Sequence, residues 1–196
     1  TTYRSGTMTA VLSSKENETN GYDEEVIIDN VKMNDSTEAT MKILKAEGKK
    51  WYMTIVWNET KTRPFAIFVQ TNNHEKSIVT NDALDHLLTL AYSKNIPTKF
   101  IDDAKLKIEG DSNAVKITRV ISLLLRHGVA IKNIVNALDN VQAIVGSFVF
   151  QIKKYLASFI KDGTPAEECC SECGSNQVVY LEGCKTCRTC GSSKCS

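Results

Sequence analysis

All seven cysteines of this 196-residue chain lie between Cys169 and Cys195, in the string CCSECGSNQVVYLEGCKTCRTCGSSKC, and residues 1–168 contain none. Disulfides that staple a fold must join distant parts of a chain, so this clustering points to a local thiolate metal site. Cys170 and Cys173 form one Cys-x-x-Cys turn followed by Gly174, and Cys184 and Cys187 form a second. The apolar stretch Val178 to Leu181 between them reads as a strand, which gives the layout of a zinc ribbon: four thiolates around one tetrahedral ion.

Two ligand registers compete. If zinc takes Cys170, Cys173, Cys184 and Cys187, then Cys190 and Cys195 remain as a Cys-x4-Cys pair on a Gly-Ser-Ser tail. Two free thiols on a short tether suit a disulfide shuttle, which works by thiolate attack and needs exposure and mobility. If zinc takes Cys170, Cys173, Cys187 and Cys190, then Cys184 is stranded beside the metal and Cys195 is alone. The first register is the expectation carried forward, with Cys190 and Cys195 as the redox pair. A purely structural zinc knob with idle spare cysteines is the plainer alternative.

The elements that position this tail come earlier. Balanced charge, formally +1, gives no sequence-wide attraction to nucleic acid or acidic membrane, and the 42% hydrophobic share suffices for a core. No apolar run reaches the ~18 residues of a membrane span, and no leader pattern is present, so a cytoplasmic location is expected. The opening Thr1 to Thr7 reads as a short strand, and 13–25 as a polar surface linker. Met41 to Ala46 and Trp51 to Trp57 flank a glycine-containing turn, and Phe65 to Val69 makes a third strand after Arg63-Pro64. Their aromatics are assigned to packing, since no basic groove accompanies them.

Helical periodicity then takes over, at about 81–93, 112–127, 131–138 and 147–160. The expected fold is α+β: a small antiparallel sheet packed with about four helices, followed by a zinc ribbon and a short redox tail. The expected divisions are 1–39, a strand and linker; 40–163, the α+β domain; and 164–196, the ribbon and tail. His74, His86 and His127 have no partner at ligand spacing, and Asp102-Asp103 reads as solvated charge in extended chain. No phosphate loop, nucleophile elbow or HExxH helix occurs.

The run ITRVISLLLRHGVAIKNIVNALDNVQAIVGSFVFQIKKYLASFI and the ending CSECGSNQVVYLEGCKTCRTCGSSKC resemble the C-terminal region of adenosylcobalamin-dependent (class II) ribonucleotide reductases. Arg63-Pro64-Phe65 is similar to that family's RPFE-type strand, and Thr1-Thr2-Tyr3-Arg4-Ser5-Gly6 to the end of its catalytic barrel. The likeness covers nearly the whole chain and is weakest over 13–38. It implies that the barrel, with its radical cysteine, substrate-reducing cysteine pair and adenosylcobalamin site, lies on a missing or partner chain. It also implies a task for the tail, which is to re-reduce the active-site disulfide left by each turnover before a thioredoxin-like protein resets it. The expected assembly is a hetero-oligomer with the catalytic large chain. Nucleic-acid binding is not expected; a zinc-ribbon interaction module and a purely oligomerising subunit are the alternatives.

Overall fold

A computed structural model describes residues 37–71, 81–107, 112–141 and 144–194. The opening strand, the 13–25 linker, His74 and Cys195 lie outside the described residues. Within them the fold is α+β, with two three-stranded antiparallel sheets and five helices.

The first sheet joins β1 (Ala39–Ala46), β2 (Lys49–Trp57) and β3 (Pro64–Thr71) in that order. Alternation along β2 sends Trp51, Met53 and Ile55 into the core while Tyr52 and Thr54 stay partly exposed, the period-two pattern of a half-buried sheet. The β1–β2 hairpin turns on Glu47 and Gly48, both at positive φ (54° and 69°), as a tight two-residue turn requires. Trp51 packs on Phe148 with ring centroids 4.9 Å apart, and Trp57 meets the edge of Phe159.

The helices are α1 (Asn81–Ser93), α2 (Thr98–Lys107), α3 (Asn113–Arg126), α4 (Ile131–Asp139) and α5 (Phe148–Ala157). α2 is the addition to the four helices read from sequence. Asp102 and Asp103, expected in extended chain, are exposed on it, while Phe100, Ile101 and Ala104 turn inward to some degree. Its short, interrupted apolar stripe hides the helical period. α3 packs on β3: the Ser122 hydroxyl accepts from the Ile67 N–H and donates to the Ile67 carbonyl, both at 2.8 Å, so it satisfies a strand edge that has no further strand among the described residues. Gly128, at φ 75°, ends α3, and Arg63 donates to the carbonyls of Gly128 and Val129 just beyond it.

The second sheet joins β4 (Val178–Leu181), β5 (Cys184–Cys187) and β6 (Ser193–Lys194). It too begins with a Glu-Gly turn at positive φ, Glu182 (51°) and Gly183 (77°). The incoming segment 163–166 runs beside β4, with Gly163 N–H to Tyr180 O at 2.7 Å, Tyr180 N–H to Thr164 O at 2.9 Å and Ala166 N–H to Val178 O at 2.9 Å. Val178, Tyr180, Cys170 and Cys187 belong to the same buried cluster as the helices, so this small sheet is seated on the larger body.

That seat is largely polar. Lys132, Asn136 and Asp139 recur at i, i+4 and i+7, which places them on one face of α4. Lys132 pairs with Glu167 at 2.7 Å, the Tyr180 hydroxyl donates to Asn136 at 3.1 Å, and Asp139 bridges Lys185 of β5 (2.7 Å) and Lys153 of α5 (2.8 Å). Glu168 adds a second carboxylate 3.0 Å from Lys185. Burial by itself pulls the Lys185 ammonium down, but the hydrogen bond to Asp139 and the charges around it prevail and hold its pKa above the ordinary lysine value. Tyr180, mainly through burial, is pushed up to about 12.

Among the described residues no helix is long and apolar enough to cross a membrane.

Candidate metal centre

Two short loops carry the thiols. The hexapeptides Cys170-Ser-Glu-Cys-Gly-Ser175 and Cys187-Arg-Thr-Cys-Gly-Ser192 share the pattern Cys-x-x-Cys-Gly-Ser, and the backbone treats them alike. In the first, the Cys170 N–H donates to Ser175 O and the Gly174 N–H to Cys170 O, each at 2.8 Å. In the second, the Cys187 N–H donates to Ser192 O at 2.8 Å and the Gly191 N–H to Cys187 O at 2.9 Å. Gly174 (φ 71°) and Gly191 (φ 76°) both occupy the left-handed region, where a side chain would be strained. A hydroxyl contact of 2.7 Å between Ser175 and Thr189 ties the loops together.

The result is a cluster of Cys170, Cys173, Cys187 and Cys190, whose sulfurs all lie within 4.8 Å of one another. Cys170 is 3.6 Å from Cys190, and Cys173 is 3.6 Å from Cys187, sulfur to sulfur. A tetrahedral ion with metal–sulfur bonds of ~2.3 Å spaces its ligands by about 3.8 Å, so the cluster fits a thiolate-bound ion such as zinc. Cys170 and Cys187 are buried, while Cys173 and Cys190 are exposed at the loop tips.

Backbone donors prepare the sulfurs for charge. The Cys190 N–H donates to the Cys187 sulfur; burial opposes it, the Thr189 N–H reinforces it, and the Cys187 thiol drops to about 6. The Ser175 N–H favours a Cys173 thiolate, but the crowding of Cys190, Cys187 and Cys170 around it, together with burial, pushes that thiol up to about 12. Four sulfurs this close cannot all ionise by themselves. A divalent cation displaces their protons and takes all four as thiolates.

Three of the four expected ligands, Cys170, Cys173 and Cys187, are in the cluster. The fourth corrects the sequence reading: the place assigned to Cys184 belongs to Cys190. A Cys184–Cys187 loop would put Arg188 where the turn needs a glycine, whereas Cys187–Cys190 is followed by Gly191. The repeated Gly-Ser was the available signal. Cys190 therefore lies in the four-cysteine cluster, and Cys195, the other expected member of the redox pair, is outside the described residues. Cys184 is disulfide-bonded, and Cys169 is a free, exposed thiol.

The other polar candidates do not join this site. His86 is on α1, and His127 is buried at the end of α3 with its ring 5.2 Å from Phe100. Comparison with family models, with curated proteins and with solved structures gives no significant match.

Proposed function

We propose that this chain is the C-terminal part, or a small subunit, of an adenosylcobalamin-dependent ribonucleotide reductase, and that its ribbon serves the re-reduction of a catalytic chain. The observation that carries this reading is a division among the cysteines. Four lie close enough together to hold a metal ion, and among the described residues Cys169 and Cys184 stay outside that cluster and are available for thiol–disulfide exchange. The order of motifs that resembles the reductase tail supplies the identity of the client.

In this reading zinc is held by Cys170, Cys173, Cys187 and Cys190 and has a structural role: it folds loops too small to bury a core of their own. Adenosylcobalamin belongs to the catalytic chain, where it supplies the radical chemistry of ribonucleotide reduction. As the ribose 2′-hydroxyl leaves as water, two active-site thiols are oxidised to a disulfide. The tail returns two electrons by exchange, and a thioredoxin-like dithiol then reduces the tail. The cytoplasm is the fitting compartment, since thiols there are kept reduced.

The test is reconstitution. A class II catalytic chain that ends at its barrel should form product continuously when this chain and a thioredoxin system are added, but only about one product per active site when a variant lacking residues 164–196 is used. Continuous turnover with the truncated variant would remove the redox role. Salt-dependent binding of the intact chain to DNA, with no support of turnover, would favour a nucleic-acid ribbon instead.

A further inference from the structure

We infer that the outer edge of β1 is a docking site for an extended, acidic peptide segment of a partner protein, which joins the first sheet as an added strand. The two edges of that sheet differ. β3 lies against α3 and has its Ile67 backbone groups taken by Ser122, whereas β1 pairs only with β2 among the described residues. The β1 register is unbroken from Ala39 to Ala46, and the strand contains no proline, so it lacks the bulges and prolines that commonly blunt an edge.

The ladder identifies the backbone groups on offer. In a two-residue hairpin the closing pair, here Ala46 and Lys49, exchanges both backbone bonds, and every second pair beyond it does the same. Leu44, Lys42 and Thr40 therefore bond to β2, and the Trp57 N–H to Glu38 O bond of 3.1 Å continues that series. Met41, Ile43 and Lys45 turn their N–H and C=O groups outward. An added strand pairs with groups at this spacing.

Side chains specify what is added. Met41 (67% exposed) and Ile43 (52%) stand on the sheet face away from the core, and Met41 is in one row with Thr54 and Phe68, itself 42% exposed. Apolar side chains of an added strand extend that patch. The charge it meets is positive: β1 carries Lys42, 4.3 Å over the Tyr155 ring, and Lys45, which faces Lys50 on β2. The carboxylates at the two ends of β1 are engaged, Glu38 with Lys61 at 2.8 Å and Glu47 with the Phe148 N–H. A second copy is a poor occupant, because antiparallel pairing about the Ile43–Leu44 bond sets Lys42 against the other copy's Lys45. Charge selects an acidic strand instead.

The docking edge is independent of the reductase reading, since it involves neither the ribbon nor its thiols. The test uses the full zinc-loaded chain and blocked decapeptides that alternate valine with glutamate or valine with lysine. At low salt the glutamate peptide should bind at least tenfold more tightly than the lysine peptide, and the amides of Met41, Ile43 and Lys45 should gain protection from hydrogen exchange. N-methylation of alternate peptide residues removes ladder donors and should weaken binding at least tenfold. Ile43→Lys, at an exposed position, should do the same with tryptophan fluorescence unchanged. Equal binding of the two charge types, indifference to N-methylation, or protection arising elsewhere overturns the proposal. So does protection of those three amides in the free chain or in a dimer of it, because the edge is then already covered by the chain itself or by a second copy.

Discussion

The β1–β3 sheet and the β4–β6 sheet are both three-stranded, antiparallel and opened by a Glu-Gly turn, yet they are held by different forces. The first buries Trp51, Met53, Ile55 and Ile67 against helices, so burial of apolar surface stabilises it. The second has strands of four, four and two residues, and of these Val178, Val179, Tyr180 and Cys187 are buried. It has instead a four-cysteine cluster that could hold a metal ion such as zinc, and the charged seat offered by α4. A turn sequence therefore determines where a hairpin forms without determining what makes it persist.

Removing the metal should produce the largest contrast. Structural zinc in small peptides contributes about 10 to 16 kcal/mol of binding free energy, so Cys187→Ser or exhaustive chelation should abolish the ordered ribbon. Helical circular dichroism should be mostly retained, because α1 to α5 lie outside the ribbon. Loss of the helical signal together with the metal would mean that the two regions fold as one unit.

Trp51→Ala attacks the other side of the comparison. A fully buried aromatic truncated to alanine costs about 3 to 5 kcal/mol, and here the midpoint of core unfolding should fall while zinc content per chain stays constant. Metal loss in this variant would show that the first sheet supports the second.

Asp139→Ala tests the seat between them. It leaves Lys185 and Lys153 short of a carboxylate where both are largely buried, with side chains 11% and 8% exposed. Breaking such a pair costs about 2 to 4 kcal/mol, somewhat below the fully buried case. Amide hydrogen exchange should rise along β4 and β5 before it rises in β2.

The smallest effect separates the two turns. Gly48→Ala meets no atom within 4 Å and should cost only the positive-φ penalty of about 1 kcal/mol. Gly183→Ala adds contacts of 3.2 Å with the backbone of Ala157 and Ser158, so it should be the more costly of the two. Equal thermal shifts would argue that the β4–β5 turn is not seated on α5.

The first sheet and four of the helices were legible because their apolar residues repeat at clear periods, and Val178 to Leu181 was legible as a strand between cysteine loops. α2 was not, because Asp102-Asp103 interrupts a stripe made by few residues. The ligand set was legible as cysteine-rich but misregistered, since counting Cys-x-x-Cys pairs ignores the left-handed glycine that each loop needs. Gly191 carried that information. The polar seat was hidden for another reason: Lys132, Asn136 and Asp139 look like an ordinary solvated helix face until a second element is laid on it.

The placement of the tryptophans has a practical consequence. Both of them, Trp51 and Trp57, are on β2, and the ribbon has none. Indole fluorescence therefore reports on the first sheet and its helices and is blind to the state of the thiol cluster. Cobalt substituted for zinc would supply a thiolate charge-transfer band for the ribbon alone. One sample then carries two optical signals of separate origin, and the order in which they disappear on heating gives the order in which the two regions come apart.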